Sequence, residues 1–227
     1  MSGHTLQQGA FPPDHLAHLR LQIRRSRFFT VNNLNRDFVG TRGFSIVFRK
    51  DALERVQREF PWTAPYLAAA LRPACNAFYL NPLQLEQGSH VAPHIDRSLR
   101  SYVLDIDPPH QVSVLYVDVP AGLRGGRLEL RRGRRLLARI APENGLLVHF
   151  DGDLEHAVER VDTPGLRLSL VCEQYALDPE ELARVPAFRV ASRARAYAGR
   201  RGGARAGADP AGLPTPTFNR AARAAPP

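Results

Sequence analysis

From residue 76 to residue 175 the chain is cut into short runs rich in β-branched, aromatic and leucine side chains: 76–80, 83–85, 91–95, 110–117, 127–130, 136–140, 145–150, 157–161 and 166–175. Glycine, proline and asparagine punctuate them, so each reads as a strand. Many short strands separated by turn signals close on one another as an antiparallel sandwich or barrel. Arg132-Gly133 and Asn144-Gly145 read as tight turns within it.

The segment before this block has a different texture. Residues 1–12 read as flexible, and Asp14 is placed to cap a helix over 15–25 with Leu16, Leu19 and Ile23 on one side. Short β-rich runs follow at 28–31 and 44–48. A helix over 51–60 stops at Pro61, and another over 64–72 stops before Pro73. These helices are expected to cover one outer face of the sheet. A last short helix at Pro179–Arg184 closes the folded part.

At 227 residues the chain suits one domain with a real core. No long uncharged apolar run is present, so no transmembrane helix is expected, the N-terminus lacks a signal-peptide core, and the default address is the cytoplasm. Cys75 and Cys172 each lie in an apolar run and read as buried free thiols. The formal charge of +9 invites a polyanion partner, but its placement argues against one for the body of the chain. Residues 187–227 hold eight arginines against one acid, in an Ala/Gly/Pro/Arg composition with little that could pack. That segment reads as a disordered basic tail, and the rest is nearly neutral. The organisation expected is thus 1–74 packing on the barrel, 75–186 as its core, and 187–227 as the tail.

One short stretch carries chemistry. In Gly88-Ser89-His90-Val91-Ala92-Pro93-His94-Ile95-Asp96, the side chains of His94 and Asp96 leave the same face of an extended strand, about 6.6 Å apart along the chain. Both can reach one ion. With a second imidazole, from His156 downstream, they make two nitrogens and a carboxylate with other coordination positions open, the facial triad that suits non-haem Fe(II). After His156 the chain reads as strand, turn, strand, with Pro164-Gly165 at the centre of a type II turn. That register sets Asp162 opposite Arg167 and Arg160 opposite Ser169, and puts His156, Asp162, Arg167 and Ser169 on one face.

The ordered set His94-x-Asp96, His156 and Arg167-x-Ser169 resembles the Fe(II)/2-oxoglutarate-dependent dioxygenases, and within them the prolyl-4-hydroxylase-like branch. Val114-Leu115-Tyr116-Val117, Gly125-Gly126-Arg127-Leu128-Glu129-Leu130 and Pro142-x-x-Gly145-Leu146-Leu147-Val148-His149-Phe150 belong to the same likeness, which spans about residues 75 to 175. The resemblance implies a mainly β, α+β architecture: a double-stranded β-helix, or jelly roll, with flanking N-terminal helices. It implies His94, Asp96 and His156 as iron ligands. His149, the rival histidine, sits in an apolar run and reads as a core residue, whereas His156 stands at a suitable distance before Arg167. Arg167 is then the partner of the far carboxylate of 2-oxoglutarate, which a guanidinium fork matches in geometry. Ser169 and Tyr116 are hydroxyl partners for the same group.

The implied reaction couples oxidative decarboxylation of 2-oxoglutarate by O2 to hydroxylation of an amino-acid, peptidyl or small-molecule substrate, with L-ascorbate as an accessory reductant. Asp96 stands where related halogenases carry a small residue, which favours hydroxylation. A tyrosine frequent in the family is replaced by Gln84-Leu85, which removes a polar wall. Arg97, Arg100, Arg124 and Arg127 are candidates for a positive rim facing an acidic substrate, and equally for plain solubilising charges. The competing readings are a non-catalytic jelly-roll binding module and a nucleic-acid-directed oxygenase that uses the basic tail, nucleic acid being the less favoured partner.

Overall fold

The computed structural model describes residues 3–32 and 37–192. Strand β1 (His4–Gln7) is followed by helix α1 (Pro13–Arg25), strands β2 (Thr30–Asn32), β3 (Phe38–Val39), β4 (Thr41–Gly43) and β5 (Ser45–Arg49), and helices α2 (Leu53–Glu59) and α3 (Ala64–Ala70). The central block is β6 (Ala77–Glu86), β7 (His90–His94), β8 (Gln111–Asp118), β9 (Leu128–Arg132), β10 (Arg135–Ile140), β11 (Leu147–Asp151), β12 (Glu155–Val158) and β13 (Leu166–Tyr175). Helix α4 (Pro179–Arg184) and strand β14 (Phe188–Ala191) complete it.

Among the described residues these strands make two antiparallel sheets. The larger runs β1-β11-β8-β13-β6-β4-β2, with β5 also pairing β6 and β14 pairing β5; the smaller runs β10-β9-β12-β7-β3. Alternation along the strands sorts side chains between two cores. Leu80, Leu115, Val117, Leu168, Leu170 and Cys172 face outward from the larger sheet, under Leu16, Leu19 and Ile23 of α1, Val56 of α2 and Tyr66 and Leu67 of α3. Burying each α1 anchor contributes about 2 kcal/mol. The Tyr66 hydroxyl crosses to the sheet and donates to the carbonyl of Ser113 at 3.0 Å. Residues on the inner face, such as Val112, Val114 and Tyr116, pack toward Leu128, Leu130 and Phe150.

The mainly β architecture and the helical cover agree with the sequence, while several local expectations need correction. Helix α1 starts at Pro13 with no side-chain cap, and Asp14 lies inside its first turn. Proline at the first helical position has no N–H to satisfy and a φ already suited to the helix. The runs 76–80 and 83–85 form one strand, β6, that continues through Pro82. Pro82 sits where β5 gives way to β4 as the neighbour, opposite a break in that edge. Residues 4–7, expected to be flexible, pair with β11. Phe188–Ala191, expected to begin the disordered tail, pairs with β5 residue for residue. The tail from 193 onward lies outside the described residues. Both cysteines are buried and free, and no helix among the described residues is long and apolar enough to cross a membrane.

The largest correction concerns 156–169. β12 and β13 are not a hairpin: β12 pairs with β7 and β9 in the smaller sheet, and β13 lies between β6 and β8 in the larger one. Residues 159–165 cross between the sheets. The crossing strap is held on one side by Gly88 N–H donating to Val161 O and Val161 N–H donating to Ser89 O, and on the other by Gly126 N–H donating to Arg160 O. His156 and Arg167 therefore face each other across the sandwich instead of sharing a strand face.

Candidate metal centre and its cavity

His94 ends β7, Asp96 follows two residues later, and His156 lies directly opposite His94 in the β7–β12 register. One ligand atom from each of the three lies within 4.8 Å of the others. Asp96 stands between the rings, with Oδ1 at 3.2 Å from His94 Nε2 and Oδ2 at 3.3 Å from His156 Nε2. The ring centroids are 4.4 Å apart. Each imidazole is anchored through its other nitrogen: His94 Nδ1 is 2.8 Å from Ala92 O and His156 Nδ1 is 3.2 Å from Leu154 O. A carbonyl only accepts, so both Nδ1 atoms carry the proton and both Nε2 atoms aim at the common centre.

The charges reinforce one another. Burial alone would lower His94, but the Asp96 carboxylate and the Ala92 carbonyl outweigh it and push the imidazole up to about 9. Burial would raise Asp96, and the two imidazoles overcome this to hold it well below the usual carboxylate range. Nε2 of His94, although close to Asp96, has no aligned hydrogen-bond partner. A buried imidazole nitrogen left unaligned beside a carboxylate and a second imidazole nitrogen is a donor set that fits a divalent cation.

The three residues open into a cavity between the sheets. Its far wall is the inner face of β13, where alternation presents Arg167, Ser169, Val171 and Glu173 in turn. Arg167 is only 2% exposed, and its Nε and Nη1 have no hydrogen-bond partner. Its guanidinium lies 4.8 Å from the ring centroid of Tyr116, a cation–π contact. The Tyr116 hydroxyl is likewise buried and unpartnered, its pKa raised by burial against the opposing effect of Arg167. Ser169 pairs in register with Tyr116 and Leu83, and its hydroxyl donates a long 3.4 Å bond to Leu83 O. Leu85 stands opposite Arg167, so no polar side chain is supplied there. Buried donors without partners cost about 1–3 kcal/mol each, and an anion in the cavity would satisfy those of Arg167.

All six residues singled out from the sequence line this one cavity. His149 does not. It points to the opposite face of the larger sheet, where Ser113 Oγ and Gln111 Nε2 approach its Nδ1 at 2.8 and 3.1 Å, and burial lowers its pKa. Arg97, Arg100, Arg124 and Arg127 are exposed and none lines the cavity; Arg127 pairs with Glu159 at 3.1 Å. Four polar wall residues were not anticipated: Tyr79, Asn81, Ser98 and Glu173. For Glu173 a signal existed, since it continues the period-two series of Arg167, Ser169 and Val171.

No protein-family model matches the sequence, and no curated protein matches it. Solved structures do. A prolyl-4-hydroxylase from Pseudomonas putida superposes with a TM-score of 0.55 at 20% identity, over 78% of this chain and 95% of that one. The chain has the prolyl-4-hydroxylase fold. A prolyl hydroxylase from Trichoplax adhaerens, in complex with a hypoxia-inducible-factor oxygen degradation domain peptide fragment, gives 0.54 at 14% identity over 81% and 87% of the two chains. HygX from Streptomyces hygroscopicus, with nickel and 2-oxoglutarate bound, gives 0.50 at 16% over 78% and 84%. Within this double-stranded β-helix, the metal-ligand candidates come from the smaller sheet and Arg167 from the larger, so the cavity between them is where the two halves of the fold meet.

Proposed function

We propose that this protein is an Fe(II)- and 2-oxoglutarate-dependent hydroxylase acting in the cytoplasm on an amino-acid, peptidyl or small-molecule substrate. The observation that carries the reading is the pairing, in one cavity, of the converged His94, Asp96 and His156 with a buried guanidinium whose donors lack partners. Structures of the same fold hold nickel and 2-oxoglutarate or a peptide fragment, which supports it.

His94, Asp96 and His156 would hold the ion, with the Nδ1 anchors on Ala92 and Leu154 fixing the rings. When bound, the ferrous ion supplies the redox chemistry that couples O2-dependent decarboxylation of 2-oxoglutarate to hydroxylation of a C–H bond, with L-ascorbate as reductant. Arg167 grips the far carboxylate of 2-oxoglutarate, and Tyr116 and Ser169 offer hydroxyls to the same group. Apolar walls from Val112, Val114, Leu128, Phe150 and Val158 exclude bulk water and strengthen that ionic grip. In this reading 75–186 is the catalytic unit and 1–74 its support.

The test is succinate formation from 2-oxoglutarate with added Fe(II), together with mass spectrometry of candidate substrates for a gain of one oxygen. His94→Ala should lower succinate formation by at least about 100-fold. Turnover that survives in the variant would unseat His94 as a metal ligand, and none in the wild type with any substrate would return the protein to the class of non-catalytic binding modules.

A further inference from the structure

On the reading above, Asp96 and Arg167 account for the charges of a dication and a dicarboxylate: together the four are electrically balanced. Glu173 is left over. It is 3% exposed and lines the cavity. Among the described residues neither an arginine nor a lysine is among the groups acting on it, and the imidazole it acts on, His94, belongs to the metal-ligand set. Its position along the cavity is fixed by its partners. Ser98, two residues beyond Asp96, donates its backbone N–H to Oε2 at 3.1 Å and its hydroxyl to Oε1 at 2.5 Å, and the Tyr175 hydroxyl donates to Oε2. Arg167 lies six residues away on the same strand, about 20 Å at strand rise. Glu173 thus belongs to the Asp96 side of the cavity and Arg167 to the opposite end.

The bonds already made leave a defined opening. A carboxylate has about four acceptor positions. Oε2 uses two of its own and Oε1 one, so one acceptor on Oε1 remains. Val112 and Val171 flank it with apolar surface, and Tyr79 stands opposite it in the β6–β13 register. Independent evidence that this cavity takes a ligand comes from its other end, where Arg167 and Tyr116, both more than nine-tenths buried, present unpartnered polar atoms.

We propose that Glu173 is the specificity-determining residue for a substrate that carries an ammonium or guanidinium group on an apolar stem, the cation docking on Oε1 while the stem lies past the metal ligands. The proposal rests on the oxygenase reading for what happens next to the substrate, but not for the docking itself. An unpaired acid in an apolar cavity is costly, and a hydrogen-bonding cation converts it into a buried pair. The selectivity follows: a neutral isostere leaves the acid unpaired, so the site rejects it. It also reverses the expectation of an acidic substrate, because the arginines that would have recognised one lie outside the cavity.

The probes are n-butylguanidinium and its neutral near-isostere n-butylurea, titrated by ligand-observed NMR into the full chain, with and without Mn(II) and 2-oxoglutarate. Wild type should prefer the guanidinium by about tenfold or more, the range of one charge-assisted hydrogen bond. Glu173→Gln should bring the two within about twofold, while Glu173→Asp keeps the preference. Loaded with Mn(II), the protein should broaden the butyl resonances of the cation, since its stem passes the metal. No preference in wild type overturns the proposal, whatever the variants do, and so does a preference kept in Glu173→Gln. If Mn(II) and 2-oxoglutarate fail to bind, the oxygenase reading falls, and the metal-free titration still decides the role of Glu173.

Discussion

Burial and the neighbouring charge of Asp96 push Glu173 up to about 8, against the opposing hydrogen bonds from Ser98 and Tyr175. With no cation docked on it, the folded protein therefore keeps this proton through a range where the unfolded chain, titrating near 4.5, has released it, and a docked cation displaces the proton. The resulting stability is fully present below the unfolded value and is lost as pH rises through about 8. Glu173→Gln cannot ionise and escapes the loss. In metal-free protein its melting temperature should gain on wild type between about pH 5 and pH 8.5 and then level off, the full gap amounting to a few kcal/mol. A difference that stays flat across that range would mean the carboxylate is already compensated. The residue thus trades stability for a charge in the cavity, as functional groups often do. His94 and Asp96 were legible in the sequence because a two-residue spacing fixes a shared face locally. Glu173 is legible only in part: the period-two series from Arg167 reaches it, but Cys-Glu-Gln-Tyr at a strand end looks like an exit to solvent, and it is the sheet on either side of β13 that makes the position interior.

At the scale of elements, the strap that carries the chain from His156 to Arg167 depends on a close backbone approach. A Cβ placed on Gly125, at φ +74°, would fall 1.9 Å from the carbonyl oxygen of Arg160. Backbone meets backbone there, with hydrogen bonds on both sides: Glu159 N–H donates to Arg127 O and Asp162 N–H to Arg124 O. Gly125→Ala should cost at least about 3 kcal/mol and displace β13 with it. Gly133, at φ +57° in the β9–β10 turn, has nothing within 4 Å, so Gly133→Ala should cost only about 1 kcal/mol. Chemical denaturation of the two variants gives the contrast; equal losses would show that the strap is free to move. The Gly125-Gly126 pair stood out in the sequence, and β13 reads there with its observed ends. The hairpin expected between 156 and 169 is absent for a physical reason: Pro164-Gly165 and flanking alternation describe a reversal equally well whether the chain returns beside its own strand or across to the other sheet. Long-range pairing decides between them, and a local pattern carries none of it.

For the whole molecule, the site joins two layers. His94 and His156 belong to the smaller sheet, and Arg167, Tyr116 and Ser169 to the larger. A metal ion alone would tie together only β7, β12 and the residues just past β7, all on one side. 2-Oxoglutarate alone would meet Arg167 on the other side with its second carboxylate unfixed. Bound together, they make a continuous bridge from Asp96 to Arg167 through the cavity, so each should raise the affinity for the other. Ligands that bind only the folded state raise its melting temperature in proportion to their binding free energy. With Mn(II) in place of iron, so that no turnover intervenes, the shift with both ligands should exceed the sum of the separate shifts. Arg167→Met should remove the excess and keep the shift due to Mn(II), since the variant leaves His94, Asp96 and His156 intact. It should also melt no lower than wild type when ligand-free, because it replaces a buried guanidinium that has unpartnered donors with an apolar chain of similar reach. Differential scanning calorimetry resolves both results. Strictly additive shifts in wild type would mean that metal and 2-oxoglutarate do not meet across the sandwich, and the assignment of Arg167 would have to be abandoned even if the metal site stood.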